Sequence, residues 1–172
     1  MRRFVPGLLA VAALIPTASS LAQDEGRPTR KPGWWEMQVV ITGPTPEPIR
    51  QTQHICTDAE VDKRQSPFGV NMNGPSCPTP KITRMTDHWM VSGACDTGAM
   101  KISADAVASG DLNDRYHADI AVHMDPPPAP QAGEVHIAMD AHWVGQCPAD
   151  KKPGDFEVAA SATAPPPAAA AK

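Results

Sequence analysis

His117-Ala118-Asp119-Ile120-Ala121-Val122-His123-Met124 and Glu134-Val135-His136-Ile137-Ala138-Met139-Asp140-Ala141-His142-Trp143 decide the fold. Ala118, Ile120, Val122 and Met124 fall on one side of an extended chain, and His117, Asp119, Ala121 and His123 on the other. Val135, Ile137, Met139, Ala141 and Trp143 likewise alternate with Glu134, His136, Asp140 and His142. A period of two is the mark of a half-buried strand. Two such runs joined by a loop with four prolines predict antiparallel neighbours with one face in the core and one in water.

The same pattern extends outward. Trp35, Met37, Val39 and Ile41 share one face of a first strand, and Gly43 to Pro48 must turn. Gly33 lets the backbone enter that strand from a turn. A second strand runs from Ile49 to Cys56, and Thr57-Asp58-Ala59-Glu60 fits a capping box, predicting a short helix over 57–65. Residues 66–80 carry six prolines and glycines, a succession of turn signals, and read as loop. Lys81–Met85 and His88–Cys95, the second run carrying Trp89 and Val91, form a hairpin turning at Thr86-Asp87. Met100, Ile102, Ala104 and Ala106 alternate in the next strand.

The expected fold is therefore mostly β: one antiparallel meander of about seven strands, forming a curved sheet or incomplete barrel, with one short helix. The expected core is Trp35, Met37, Val39, Ile41, Trp89, Val91, Ile102, Ile120, Val122, Ile137, Met139 and Trp143.

The N-terminus reads as an export signal. Arg2 and Arg3 precede an apolar stretch from Phe4 to Ile15, and Ser20-Leu21-Ala22 offers small residues for cleavage before Gln23. The expected organisation is a signal peptide over 1–22, a flexible lead-in over 23–31, a disulfide-bonded domain over 32–156 and a disordered Ala/Pro-rich tail over 157–172. Cleavage takes Lys+Arg from 15 to 13 against 19 Asp+Glu, a net charge of −6. That balance argues against nucleic acid and anionic membrane surfaces as partners. No later run has about 18 consecutive apolar residues, so no membrane insertion is expected after cleavage.

Four cysteines behind a signal peptide predict two disulfides. Their spacings of 20, 17 and 51 intervening residues contain no Cys-x-x-Cys pair, against a zinc site. Strand parity selects the pairing. A hairpin turning at 86–87 sets Cys77 opposite Asp96, beside Cys95. Three crossings of the sheet then separate Cys95 from Cys147. The expected bonds are Cys77–Cys95 and Cys56–Cys147, because Cα atoms more than about 7 Å apart cannot be bridged.

Lys31-Pro32-Gly33-Trp34-Trp35-Glu36, the order of the four cysteines, Gly145-Gln146-Cys147-Pro148 and Pro153-Gly154-Asp155 resemble a family of exported bacterial proteins, domain-of-unknown-function family 3617. The resemblance implies a periplasmic protein of a Gram-negative bacterium. It implies no substrate, cofactor or catalytic residue.

No catalytic or cofactor motif stands out. There is no Gly-x-Ser-x-Gly, Gly69, Gly74 and Gly98 form no phosphate loop, and Asp111 and Asp114 read as turn residues. The expectation is a non-enzymatic binding or structural domain with no cofactor and an unknown partner. Two alternatives are transition-metal binding and carriage of a small apolar ligand inside the sheet. The metal reading rests on His117, His123, His136 and His142. A register summing to 259 would set His123 opposite His136 and His117 opposite His142. A sum of 257 would set His117 against Asp140 and His123 against Glu134. Both keep the apolar faces together.

Overall fold

The computed structural model describes residues 27–70, 77–130 and 132–159. The expected signal peptide and most of the expected tail lie outside them. Eight strands and one helix follow in chain order: β1 (Gly33–Thr42), β2 (Ile49–Thr57), α1 (Ala59–Arg64), β3 (Lys81–Arg84), β4 (His88–Asp96), β5 (Lys101–Asp111), β6 (Arg115–Asp125), β7 (Glu134–Gly145) and β8 (Phe156–Ala159). They form one antiparallel sheet in the order β3-β4-β5-β6-β7-β1-β2-β8. The two edges, β3 and β8, do not pair, so the sheet is not closed into a barrel.

Consecutive strands are neighbours everywhere except between β2 and β3 and before β8. The segment between β2 and β3 carries the chain from one side of the sheet to the far edge, and it does so across the apolar face. This makes it the cover of the core. Val61 of α1 and Phe68 and Val70 of the loop are buried in one cluster with Trp35, Val91, Tyr116 and Met139. The sheet beneath is lined with small residues, Ala104, Ala106 and Ala108 of β5 and Ala118 of β6, all buried in the same cluster. At Gly69, an added Cβ would stand 3.0 Å from Ile120 Cδ1, so the loop backbone lies directly on the sheet.

Aromatic rings tie cover to sheet. Phe68 meets Trp89 with centroids 5.5 Å apart and Tyr116 edge-on at 5.8 Å, and Tyr116 reaches Trp35 at 5.6 Å. The Tyr116 hydroxyl donates to the Pro67 carbonyl at 2.6 Å. Burial pushes the phenol upward from its usual pKa.

Beside this cluster is a buried ion pair. Arg30 is 4 % exposed and Asp62 is fully buried. The Arg30 backbone N–H donates to Asp62 Oδ2 at 2.6 Å, and its Nη2 to Oδ1 at 2.7 Å. Thr57 Oγ1 donates to the same Oδ1 at 2.9 Å. Burial opposes the guanidinium charge, but Tyr116 and the Asp62 carboxylate outweigh it and hold the Arg30 pKa above its ordinary value.

Several expectations are corrected here. Residues 27–31 are not a loose lead-in: Pro28 and Arg30 are buried, because the Asp62 carboxylate gives Arg30 a partner inside. The helix is capped by Asp58, which accepts from the Val61 N–H at 2.8 Å, and not by Thr57, which ends β2 and bonds Asp62 instead. Residues 157–159 belong to β8, which pairs with β2 from Phe156↔Ile55 to Ala159↔Thr52. Of the expected core, Trp35, Met37, Val39, Val91, Ile120 and Met139 are buried, and Ile41, Trp89, Val122, Ile137 and Trp143 pack partly buried against them. Ile102 lies outside that cluster, half-buried one residue from the start of β5.

Gly33 has φ of +138°, and a Cβ there would collide with the Gly145 carbonyl oxygen and the Trp143 indole. Only glycine allows β1 to approach the end of β7 this closely.

Candidate functional site

The face opposite the core is set by register. β6 and β7 pair with residue numbers summing to 257, so His117 faces Asp140, Ala121 faces His136 and His123 faces Glu134. The facing imidazoles on which metal binding rested are not formed. His142 stands against Arg115 on one side and Glu36 on the other. Among the described residues, no group of three or more His, Cys, Asp or Glu side chains is placed to hold a metal ion. The register summing to 259 is thereby corrected to 257. Of the four histidines of the metal reading, His136 Nε2 lies 3.3 Å from Glu134 Oε1, and His142 Nε2 lies 4.0 Å from Glu36 Oε1.

His117 is the most tightly held of the four. Its Nδ1 is 2.8 Å from Asp140 Oδ1 and its Nε2 is 3.1 Å from Asp119 Oδ2. The hydrogen bond to Asp140 chiefly, with the charges and bond of Asp119, raises its pKa despite partial burial. Ser109, His117 and Asp140 stand directly opposite one another on β5, β6 and β7. That row has the order of a nucleophile, a base and its orienting acid. A base needs a free nitrogen toward the nucleophile, but Nε2 is turned to Asp119. An imidazole held between two carboxylates favours its protonated form, which takes up no further proton.

Next to this row the face opens into a trough of about 640 Å³. Its floor crosses six strands. One row reads Thr83, Met90, Val107, Asp119, Ala138 and Val40 from β3 to β1. The next reads Lys81, Ser92, Asp105, Ala121, His136 and Thr42. Met90 and Val107 face each other across β4 and β5 and are each 48 % exposed. Their exposure stands out because most strands alternate polar residues onto this face. The sequence signal was present: Met90, Val107, Ala121, Ala138 and Val40 break the polar phase of five strands, at positions that the register brings together.

The core face has a cavity of about 390 Å³ between the cover and β2, lined by both polar and apolar groups, among them Arg30, Gln53, Gln65, Met37 and Phe156. The middle of the core face is filled by Phe68, Val61 and Val70. A ligand carried inside the sheet would compete with the protein's own cover.

Near the ends of β1 and β2, Trp34 stacks on His54 with centroids 5.5 Å apart and 5° between planes, and His54 Nε2 lies 3.1 Å from Glu36 Oε2. Lys31 Nζ sits 3.4 Å from the centre of the Trp143 ring. These contacts fasten the strand ends.

Two disulfides brace the sheet: Cys56–Cys147, with Cα atoms 5.5 Å apart, and Cys77–Cys95, with Cα atoms 4.4 Å apart. They are the pairs that strand parity selects. No cysteine is free. Such bonds point to an oxidising, extracytoplasmic compartment. No described helix is long and apolar enough to cross a membrane.

No curated protein and no solved structure matches the chain. The family described as "Protein of unknown function (DUF3617)" matches residues 30–147, from the buried Arg30 to the second cysteine of the long disulfide. That span is well over half the chain and takes in β1 through β7, the helix and the trough, so the chain belongs to the DUF3617 family.

Proposed function

We propose that this protein is an exported, non-enzymatic binding domain of the periplasm whose ligand lies in the trough on the polar face. The observation that carries this reading is the trough itself: about 640 Å³ of open volume over half-exposed Met90 and Val107. Ligand sites are concave, mostly apolar and of about 300–1,000 Å³. A ligand with an apolar body of modest size fits that description. Export is supported by the Arg2-Arg3 and apolar N-terminus with its Ser20-Leu21-Ala22 site, together with the two disulfides. A binding role is favoured over catalysis because the Ser109-His117-Asp140 row has its imidazole closed off by Asp119.

Native mass spectrometry of the protein purified from periplasm tests the reading. The expected species begins at Gln23 and carries a small molecule that is lost in Val107→Lys. Residue 107 is exposed, so this change blocks the trough without disturbing the core. Retention of residues 1–22 overturns the export reading. A ligand held equally by Val107→Lys, or none on either protein, overturns the trough.

A further inference from the structure

The trough has a sign as well as a shape. β5 and β6 pair with Asp105 opposite Ala121 and Val107 opposite Asp119. The two carboxylates therefore occupy one diagonal of a four-residue square in the middle of the floor, and Val107 and Ala121 the other. Diagonal neighbours on an antiparallel pair are about 7–8 Å apart. A single ammonium group between them can pair its charge with both.

Along the row of Val107 and Asp119 the floor is apolar on both sides of this square: Met90 toward β4, and Ala138 and Val40 toward β7 and β1. Asp119 holds His117 through one oxygen, at 3.1 Å. The Asp105 carboxylate makes no hydrogen bond or ion pair among the described residues. The one fixed cation of the lining, Lys81, lies on the edge strand β3, with β4 and Ser92 between it and Asp105. The chain as a whole is acidic, with 19 Asp+Glu against 15 Lys+Arg. That field draws cations toward the surface and repels anions.

We propose that the ligand of this trough is a cationic amphiphile: an aliphatic body lying over Met90, Val107 and Ala138, with one ammonium held between Asp105 and Asp119. The inference rests on the trough reading above and names its ligand class. Apolar contact supplies the bulk of such binding, and the paired carboxylates supply its charge selectivity.

Titration calorimetry on the intact, disulfide-bonded protein tests it with three probes below their micelle concentrations: dodecyltrimethylammonium, dodecyl maltoside and dodecyl sulfate. The expected order of affinity is ammonium, then maltoside, then sulfate. Asp105→Asn is expected to weaken the ammonium probe about three- to tenfold and to leave maltoside unchanged. Val107→Lys is expected to abolish saturable binding of all three. Equal affinity for the three probes, or tightest binding of sulfate, with loss in Val107→Lys, overturns the charge assignment and leaves the trough standing. Absence of binding, or binding that Val107→Lys does not affect, overturns both. Circular dichroism spectra that match wild type show that the variants are folded.

Discussion

The two faces of this sheet carry the same alternation and meet opposite fates. On one, the chain between β2 and β3 returns as α1 and a loop, and lays Val61, Phe68 and Val70 over β-strand alanines. On the other, Met90 and Val107 stay half exposed in an open trough. Even the charges differ. The core face buries Arg30 with Asp62, while the outer face keeps Asp105, Asp119 and Asp140 in contact with water. The lesson is that a sheet of small residues is an invitation to be covered. Among the described residues, only the face to which the connecting segment returns is filled by the protein itself.

If that contrast is right, the largest effect of any single carboxylate lies on the covered face. Asp62→Ala leaves the Arg30 guanidinium buried without its partner and is expected to destabilise by about 3–5 kcal/mol. The matched change on the open face, Asp105→Asn, is expected to stay within about 0.5 kcal/mol. Urea unfolding with disulfides intact measures both. Similar values for the two would break the distinction. Arg30→Met combined with Asp62→Leu sharpens it, since replacing a whole buried pair is often neutral or stabilising.

A smaller effect tests how the cover is held. Tyr116→Phe keeps the ring against Trp35 and Phe68 but removes the donor to the Pro67 carbonyl. The expected loss is about 1–2 kcal/mol, because a buried acceptor is left without a partner. Hydrogen exchange should quicken first in residues 66–70. Uniform exchange across the sheet would mean that the cover and the sheet open together.

The inner strands were legible because period two survives in them, from Trp35–Ile41 to Val135–Trp143, whereas β8, exposed along its whole length, carries no such period and read as tail. The hairpin at Thr86-Asp87 was legible too, and with it the 173 register that brings Cys77 beside Cys95. What failed to show was whatever lacks a period. Phe68 and Val70 sit among prolines and glycines, so their burial depends on where the loop lands and not on local pattern. Arg30 reads as solvated until Asp62, 32 residues away, is folded against it. The register of β6 on β7 was undetermined because sums of 257 and 259 both keep the apolar faces together. The trough follows from that register together with those of β4, β5 and β1. It could therefore be read from five sparse apolar positions only after the sheet order was known.

The smallest effect concerns His117 and separates the trough's edge from the buried pair on the opposite face. Its bonds to Asp140 and Asp119 raise its pKa above the ordinary 6.5. A group that gains affinity for its proton on folding stabilises the fold when protonated in both states. The contribution is therefore fully present below the unfolded value near pH 6.5 and fades as pH rises through the folded value. With the side chain 40 % exposed, solvent screening limits it to a few tenths of a kcal/mol. His117→Gln is thus expected to be less stable than wild type at pH 6 and to converge with it by pH 9. The Arg30–Asp62 pair should give the opposite picture, with Asp62→Ala equally damaging at both pH values, because the guanidinium keeps its charge throughout. A His117→Gln deficit that persists undiminished at pH 9 would mean that the side chain acts through packing and not through its bridge between the two carboxylates.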